Sequence, residues 1–162
     1  MSEQVKAIPD GFHSITPGLV VRGGLKALEF YKAAFGAEVI SRMDTPDGKV
    51  MHAEFRIGNS IVMLGEECPD WGVVAPETLG GSPVSLNVYV EDCDAVFNRA
   101  VEAGAAVKMP VADMFWGDRY GKITDPFGHS WGILTHVKDL TEEEVKAAAA
   151  EAMAAMAAEQ GK

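Results

Sequence analysis

Basic side chains are in short supply: 14 Lys and Arg stand against 24 Asp and Glu, a formal net charge of -10. So acidic a chain repels phosphate backbones and anionic headgroups, which argues against nucleic acid and membrane as partners. Cysteine is scarcer still. Cys68 and Cys93 have neither CxxC spacing nor a secretory context, so buried or idle thiols are expected rather than a disulfide framework or a thiolate cluster. No stretch approaches the roughly 18 apolar residues of a membrane span, and the N-terminal MSEQVKAIPDGFHSI lacks a basic segment followed by an apolar run. A cytoplasmic protein is expected. Also missing are a Ser/His/Asp order, a phosphate-cradling glycine motif and a basic aromatic stripe.

Apolar content is not lacking: 48% of the 162 residues are hydrophobic, enough for the core of one compact domain. Two segments repeat one another. LKALEFYKAAFGAEV (Leu25 to Val39) and CDAVFNRAVEAGAAV (Cys93 to Val107) align without a gap, placing Ala27 over Ala95, Gly36 over Gly104 and Val39 over Val107. Both read as amphipathic helices ended by glycine, which tolerates the left-handed conformation at a helix C-terminus. An apolar run precedes each helix, ITPGLVV and SLNVYV, and a pair of strand-like runs follows each. In the first half the pair turns at Gly58-Asn59; in the second it turns at Asp125-Pro126-Phe127-Gly128. Each half is therefore predicted to be β-α-β-β-β.

The predicted organisation is a single domain over 1–138, with a first module about 13–66, a linker about 67–82 and a second module about 83–137, then a C-terminal helix over 139–162. The linker region, EECPDWGVVAPETLGGS, is rich in Pro, Gly and acid and reads as a connection or mobile loop. Thr141 with Glu144 makes a capping box for the last helix, which is mostly alanine and has little to bury beyond Val145, Met153 and Met156.

The tandem repeat, with FYKAAFGAEV in the first helix and DPFGHSW in the last hairpin, resembles the vicinal oxygen chelate superfamily of glyoxalase I, bleomycin-resistance proteins and extradiol dioxygenases. FWGDRYG, DPFGHSW and the trailing LTEEEV are similar to its PhnB-like branch. The resemblance implies an α+β fold in which paired modules curl mixed sheets around a shared cavity, usually in a homodimer. It also implies ligand positions for a metal on the first and last strands of each module. Here those positions fall on Thr16, Ser85, Gly132 and Val62, or Met63 if the register slips by one. None suits a divalent ion that favours imidazole and carboxylate. No metal and no other cofactor is expected.

Strand alternation suggests what else lines the cavity. In VMHAEFRI, His52, Glu54 and Arg56 share one face, and antiparallel pairing sets Glu54 opposite Met63, which favours Met63 over Val62 as the inward residue. That polar face reads as a solvated or salt-bridged surface, as a ligand contact, as a base with its orienting partner, or as two metal ligands of a novel site, with His52 and Glu54 the catalytic candidates. In FWGDRYGKIT, Asp118 and Arg119 point to opposite faces. Arg119 is preferred as the pocket cation because a guanidinium holds a carboxylate or phosphate in bidentate fashion. Trp116 and Tyr120 offer flat apolar cover, and Asn87 shares the parity of Ser85. The alternative is that this stretch is only a busy hairpin.

Two functional expectations result, beside a third in which the chain is a housekeeping or regulatory dimer with a vestigial pocket. One is a metal-free protein that binds a small, partly aromatic or amphipathic molecule bearing an acidic group, through Arg56, Met63, Asn87, Trp116, Arg119 and Tyr120. The other is a metal-dependent or acid-base lyase, isomerase or dioxygenase of the glyoxalase type using a non-standard site around His52 and Glu54.

Overall fold

The computed structural model describes residues 5–160; the first four and last two residues lie outside it, including the end predicted for the C-terminal helix. The first half runs β1 (Gly18–Val21), α1 (Gly24–Phe35), β2 (Glu38–Asp44), β3 (Val50–Ile57) and β4 (Ser60–Glu66). A 3-10 turn at Pro69–Trp71 and a short α2 (Pro76–Leu79) then lead to the second half. This is β5 (Ser85–Tyr89), α3 (Cys93–Glu102), β6 (Ala106–Asp113), β7 (Asp118–Thr124) and β8 (Ser130–His136), followed by α4 (Glu142–Gln160). The sheets have matching orders, β1-β4-β3-β2 and β5-β8-β7-β6, each with one parallel pair and two antiparallel pairs. The fold is α+β, two mixed four-stranded sheets with helices, as the repeat predicts.

The two long helices of the repeat are capped in different ways. Asp92 caps α3, accepting the Ala95 N–H at 3.0 Å. Its counterpart α1 starts after Gly23 and has no side-chain cap of its own. A carboxylate from elsewhere does that work: Glu66, at the end of β4, accepts the Gly23 and Gly24 N–H groups. Gly24 is required there because a Cβ would meet the Val50 side chain at 2.7 Å. The connection between the halves is pinned rather than loose. Glu67 accepts the Ala75 N–H at 3.1 Å and the Thr78 hydroxyl at 2.7 Å, and faces the Arg22 guanidinium at 3.3 Å.

The two helices form one layer to which both sheets present their apolar faces. The Tyr31 ring of α1 stacks on Phe55 of β3, with centroids 5.1 Å apart, and lies 5.6 Å from Trp131 of β8. Phe35 approaches the same tryptophan at 4.7 Å, and α1 packs directly against α3. Burying one such ring is worth roughly 2–3 kcal/mol. The remaining face of each sheet is turned away from the helices.

At the centre of this layer sits a carboxylate. Asp125, 4% exposed, accepts the Tyr31 hydroxyl at 2.7 Å, the Trp131 indole N–H at 2.9 Å, and the Phe127 and His129 backbone N–H groups, each at 2.9 Å. Tyr31 belongs to the first module and Trp131 to the second, so the DPFG turn is also the polar tie between modules. Burial, with Asp125 beside it, pushes the Tyr31 hydroxyl well above its ordinary pKa.

Candidate functional site

The outer face of the first sheet follows from the alternation of β3. Ala53, Phe55 and Ile57 are buried against the helices, so His52, Glu54 and Arg56 point the other way. Glu54 pairs with Met63, and Val62 is buried on the helix side, so Met63 shares the outer face with Glu54. His52 Nε2 lies 3.3 Å from Glu54 Oε1, and the Ser41 hydroxyl donates to Glu54 Oε2 at 3.2 Å. Arg56 is drawn off to the exposed Glu38 at 2.8 Å.

A cavity of about 540 Å³ opens on this face, with Met51, His52, Met63, Cys68, Trp71 and Val73 among its lining. Trp71 stands on the 3-10 turn and is 83% exposed, so an indole face is held in solvent beside the cavity. The sequence reading missed Trp71 and Cys68 because they lie in a segment taken as a linker. The signal was a lone tryptophan in a stretch otherwise made of small, acidic and turn-forming residues.

The second sheet separates the residues that the sequence reading grouped. Ile123 and Gly121 face the helices, and Arg119 lies with them. Its guanidinium is engaged bidentately by Asp94 of α3, at 2.6 and 2.8 Å, and by Asp113 at 3.0 Å. Those hydrogen bonds, Asp94's first, raise its pKa further. The expectation that Arg119 supplies the pocket cation is therefore not how the residue is used: strand parity turns it toward α3.

Tyr120 lies on the opposite, outward face, where it converges with Asn87 over Gly132. A side chain at Gly132 would collide with both, so the glycine makes their approach possible. Trp116 is in the tight turn before β7, its ring 6.0 Å from that of Tyr120, and donates its indole N–H to Asp118 at 2.9 Å. Asp118, 4% exposed, also accepts the Tyr89 hydroxyl at 2.9 Å and faces His136 Nδ1 at 2.8 Å. Burial alone would raise the Asp118 pKa; the contacts from His136, Tyr89 and Trp116 outweigh it and hold the carboxyl below its ordinary value. His136 is raised, first by Asp139 and then by Asp118. The catalytic candidates His52 and Glu54 thus lie with the predicted ligand residues Arg56 and Met63 on the first sheet, and the predicted ligand residues Asn87, Trp116 and Tyr120 lie with the second.

The ligand positions implied for a metal do not fit one. The Thr16 hydroxyl donates to the His13 carbonyl, Ser85 is hydrogen-bonded to Ser130, Gly132 has no side chain, and Met63 offers a thioether. Among the described residues no three His, Cys, Asp or Glu side chains are grouped closely enough to hold a metal ion.

The two β-α-β-β-β modules with matching strand orders have the fold that the resemblance to glyoxalases, bleomycin-resistance proteins and dioxygenases implies. Residues 11–133 match that family, and the chain belongs to the Glyoxalase/Bleomycin resistance protein/Dioxygenase superfamily. It is 41% identical over 138 residues to the uncharacterized protein Rv0887c of Mycobacterium tuberculosis, covering 83% of this chain and 81% of that one. Among solved structures, TioX from Micromonospora superimposes with a TM-score of 0.61 at 26% identity, over 76% of this chain and 98% of that chain. A PhnB protein from Bacillus cereus shares the fold, with a TM-score of 0.60 at 24% identity over 76% and 99% of the two chains.

Proposed function

We propose that the protein binds a small organic molecule on the outer face of its first module and holds no metal there. One observation carries the reading: the cavity of about 540 Å³ joins an indole, two thioethers and an imidazole to a mainly apolar surface, with Asp47, Lys49, Glu66 and Glu67 also in its lining. Trp71 supplies a stacking face, Met51 and Met63 an adaptable apolar surface, and His52 a hydrogen bond whose geometry Glu54 fixes. The ligand is a flat, partly aromatic compound that carries a polar group.

The test is a thermal-shift and fluorescence screen of aromatic compounds against wild type, Trp71→Phe and His52→Ala. Saturable hits should weaken by about ten- to hundredfold in His52→Ala, the loss of one buried hydrogen bond and its packing. Hits that bind all three proteins equally would remove the site from this face. Elemental analysis of protein made without a histidine tag should find divalent metal well below one per chain. A full equivalent of metal would refute the metal-free reading and turn attention to His52 and Glu54.

The 3.3 Å contact between His52 and Glu54 supports a second reading, in which His52 is a general base oriented by the carboxylate. Turnover that His52→Gln abolishes while binding persists would favour it.

We propose also that two chains associate. β2 is exposed along its whole length, and Val39, Ile40, Met43 and Met51 are exposed around the first sheet's open side, an edge and face that a second copy would cover.

A further inference from the structure

The second module carries an unneutralised basic spot in a strongly acidic protein. Strand β6 is bulged: Val107 pairs with Ile123 and Met109 with Lys122, leaving Lys108 as the extra residue. A bulge sets two residues against one on the partner strand and re-aims their side chains. Here it sets Lys108 and Met109 together against Lys122. All three line one shallow cavity of about 880 Å³, with Thr124 and Ser130 from β7 and β8 and the Gly80 to Ser82 turn at its rim. Lys122 and Thr124 face outward because Ile123 between them is fully buried against the helices.

Among the described residues no carboxylate comes within ion-pair distance of Lys108 or Lys122. Glu77 also borders the cavity, but it is the acid 3.8 Å from Arg22. In a chain with ten acids in excess over bases, two lysines on one cavity with no carboxylate within ion-pair distance make a local positive spot. An anion bound there would meet both ammonium groups, and the Thr124 and Ser130 hydroxyls add neutral donors beside it. Ammonium groups act as point charges that suit a compact, multiply charged oxyanion. No residue of this cavity lines the pocket of the first module.

We propose that the β6 bulge builds a binding site for a phosphate group, free or as the terminal monoester of a small molecule, at Lys108, Lys122, Thr124 and Ser130.

The experiment titrates inorganic phosphate into the full chain by calorimetry, with chloride making up constant ionic strength and acetate run in parallel. Wild type should bind phosphate saturably. Lys108→Met and Lys122→Met should each weaken binding at least tenfold, with Lys26→Met, on the exposed side of α1, unchanged. A response to phosphate no different from chloride overturns the proposal, as does an affinity indifferent to both lysine variants. Acetate binding as tightly as phosphate overturns the assignment of the ligand class. Lys108 is exposed, so its variant keeps the test valid even if Lys122→Met does not fold. Trp71→Phe and His52→Ala should retain phosphate affinity, which separates failure here from failure of the first pocket. A phosphate monoester binding more tightly than inorganic phosphate would place the group at the end of a larger ligand; the reverse order would assign the site to the free ion.

Discussion

Asp125 is a carboxylate buried among aromatic rings, stabilised by four donors rather than by a cation. Removing it strands the Tyr31 hydroxyl and the Trp131 indole N–H in the core. Asp125→Ala is expected to cost about 3 kcal/mol or more, whereas Tyr31→Phe, which deletes one hydrogen bond, should cost about 1.5–3 kcal/mol. Urea denaturation curves measure both; equal losses would mean that the carboxylate matters only through Tyr31. The DPFG turn was legible in the sequence because proline and glycine announce it, but its aspartate's partners were not. Tyr31 is 94 residues away. The same limit explains Arg119: alternation showed that it and Asp118 face opposite ways, but not which way was inward. Placing Tyr120 and Arg119 in one pocket ignored that neighbours on a strand diverge. Lys122, two residues beyond Tyr120, had the parity that a pocket cation needs.

Among the elements, α4 is the least anchored. None of its residues is buried, and it is held at its start by the Thr141–Glu144 capping box, in which the Thr141 N–H donates to Glu144 at 2.8 Å and the Glu144 N–H to the Thr141 hydroxyl at 3.2 Å. That box was readable from four letters of sequence. Truncation after Leu140 should leave the melting temperature within a few degrees of wild type; a large drop would mean that the helix packs in solution. The junction before it is expected to respond to pH. His136 at the end of β8 lies between Asp118 and Asp139, at 2.8 and 2.9 Å. Its pKa is raised above 6.5, so its contribution to stability is complete below that value and is lost as pH rises through the folded pKa. Asp118 is lowered below 3.8, so its contribution is complete above that value and is lost only as pH falls through the depressed pKa. The melting-temperature gap between wild type and His136→Gln should be larger at pH 5.5 than at pH 9. A gap that grows with pH would reverse the assignment.

At the scale of the whole molecule, the tandem repeat was legible because glycine-ended helices and paired turns recur in register. How the modules are arranged was not, because no local pattern says which faces of two similar units meet. In the chain they share one helical layer; His52, Glu54 and Met63 lie on the first sheet and Tyr120 and Asn87 on the second, with Asn87 also at a cavity lined by both modules. Unfolding is expected to be a single transition, coincident by tryptophan fluorescence and far-UV circular dichroism. Separate transitions would show that the modules are independent. Light scattering should give about twice the 17.3 kDa chain mass at micromolar concentration, since a second copy would cover the exposed β2 side of the first sheet. A monomer would mean that those faces stay open.

The shared layer also changes what the covalent link between modules is for. Tyr31, Phe35, Asp125 and Trp131 hold the halves together by contacts that do not pass through the exposed Gly80–Gly81 turn. A protease nick at that turn should therefore leave a particle that migrates intact on a sizing column and falls into two pieces only in denaturant. Made as two separate polypeptides in one cell, the halves should recognise each other and reassemble, so the gene could be divided at this point into a complementation pair.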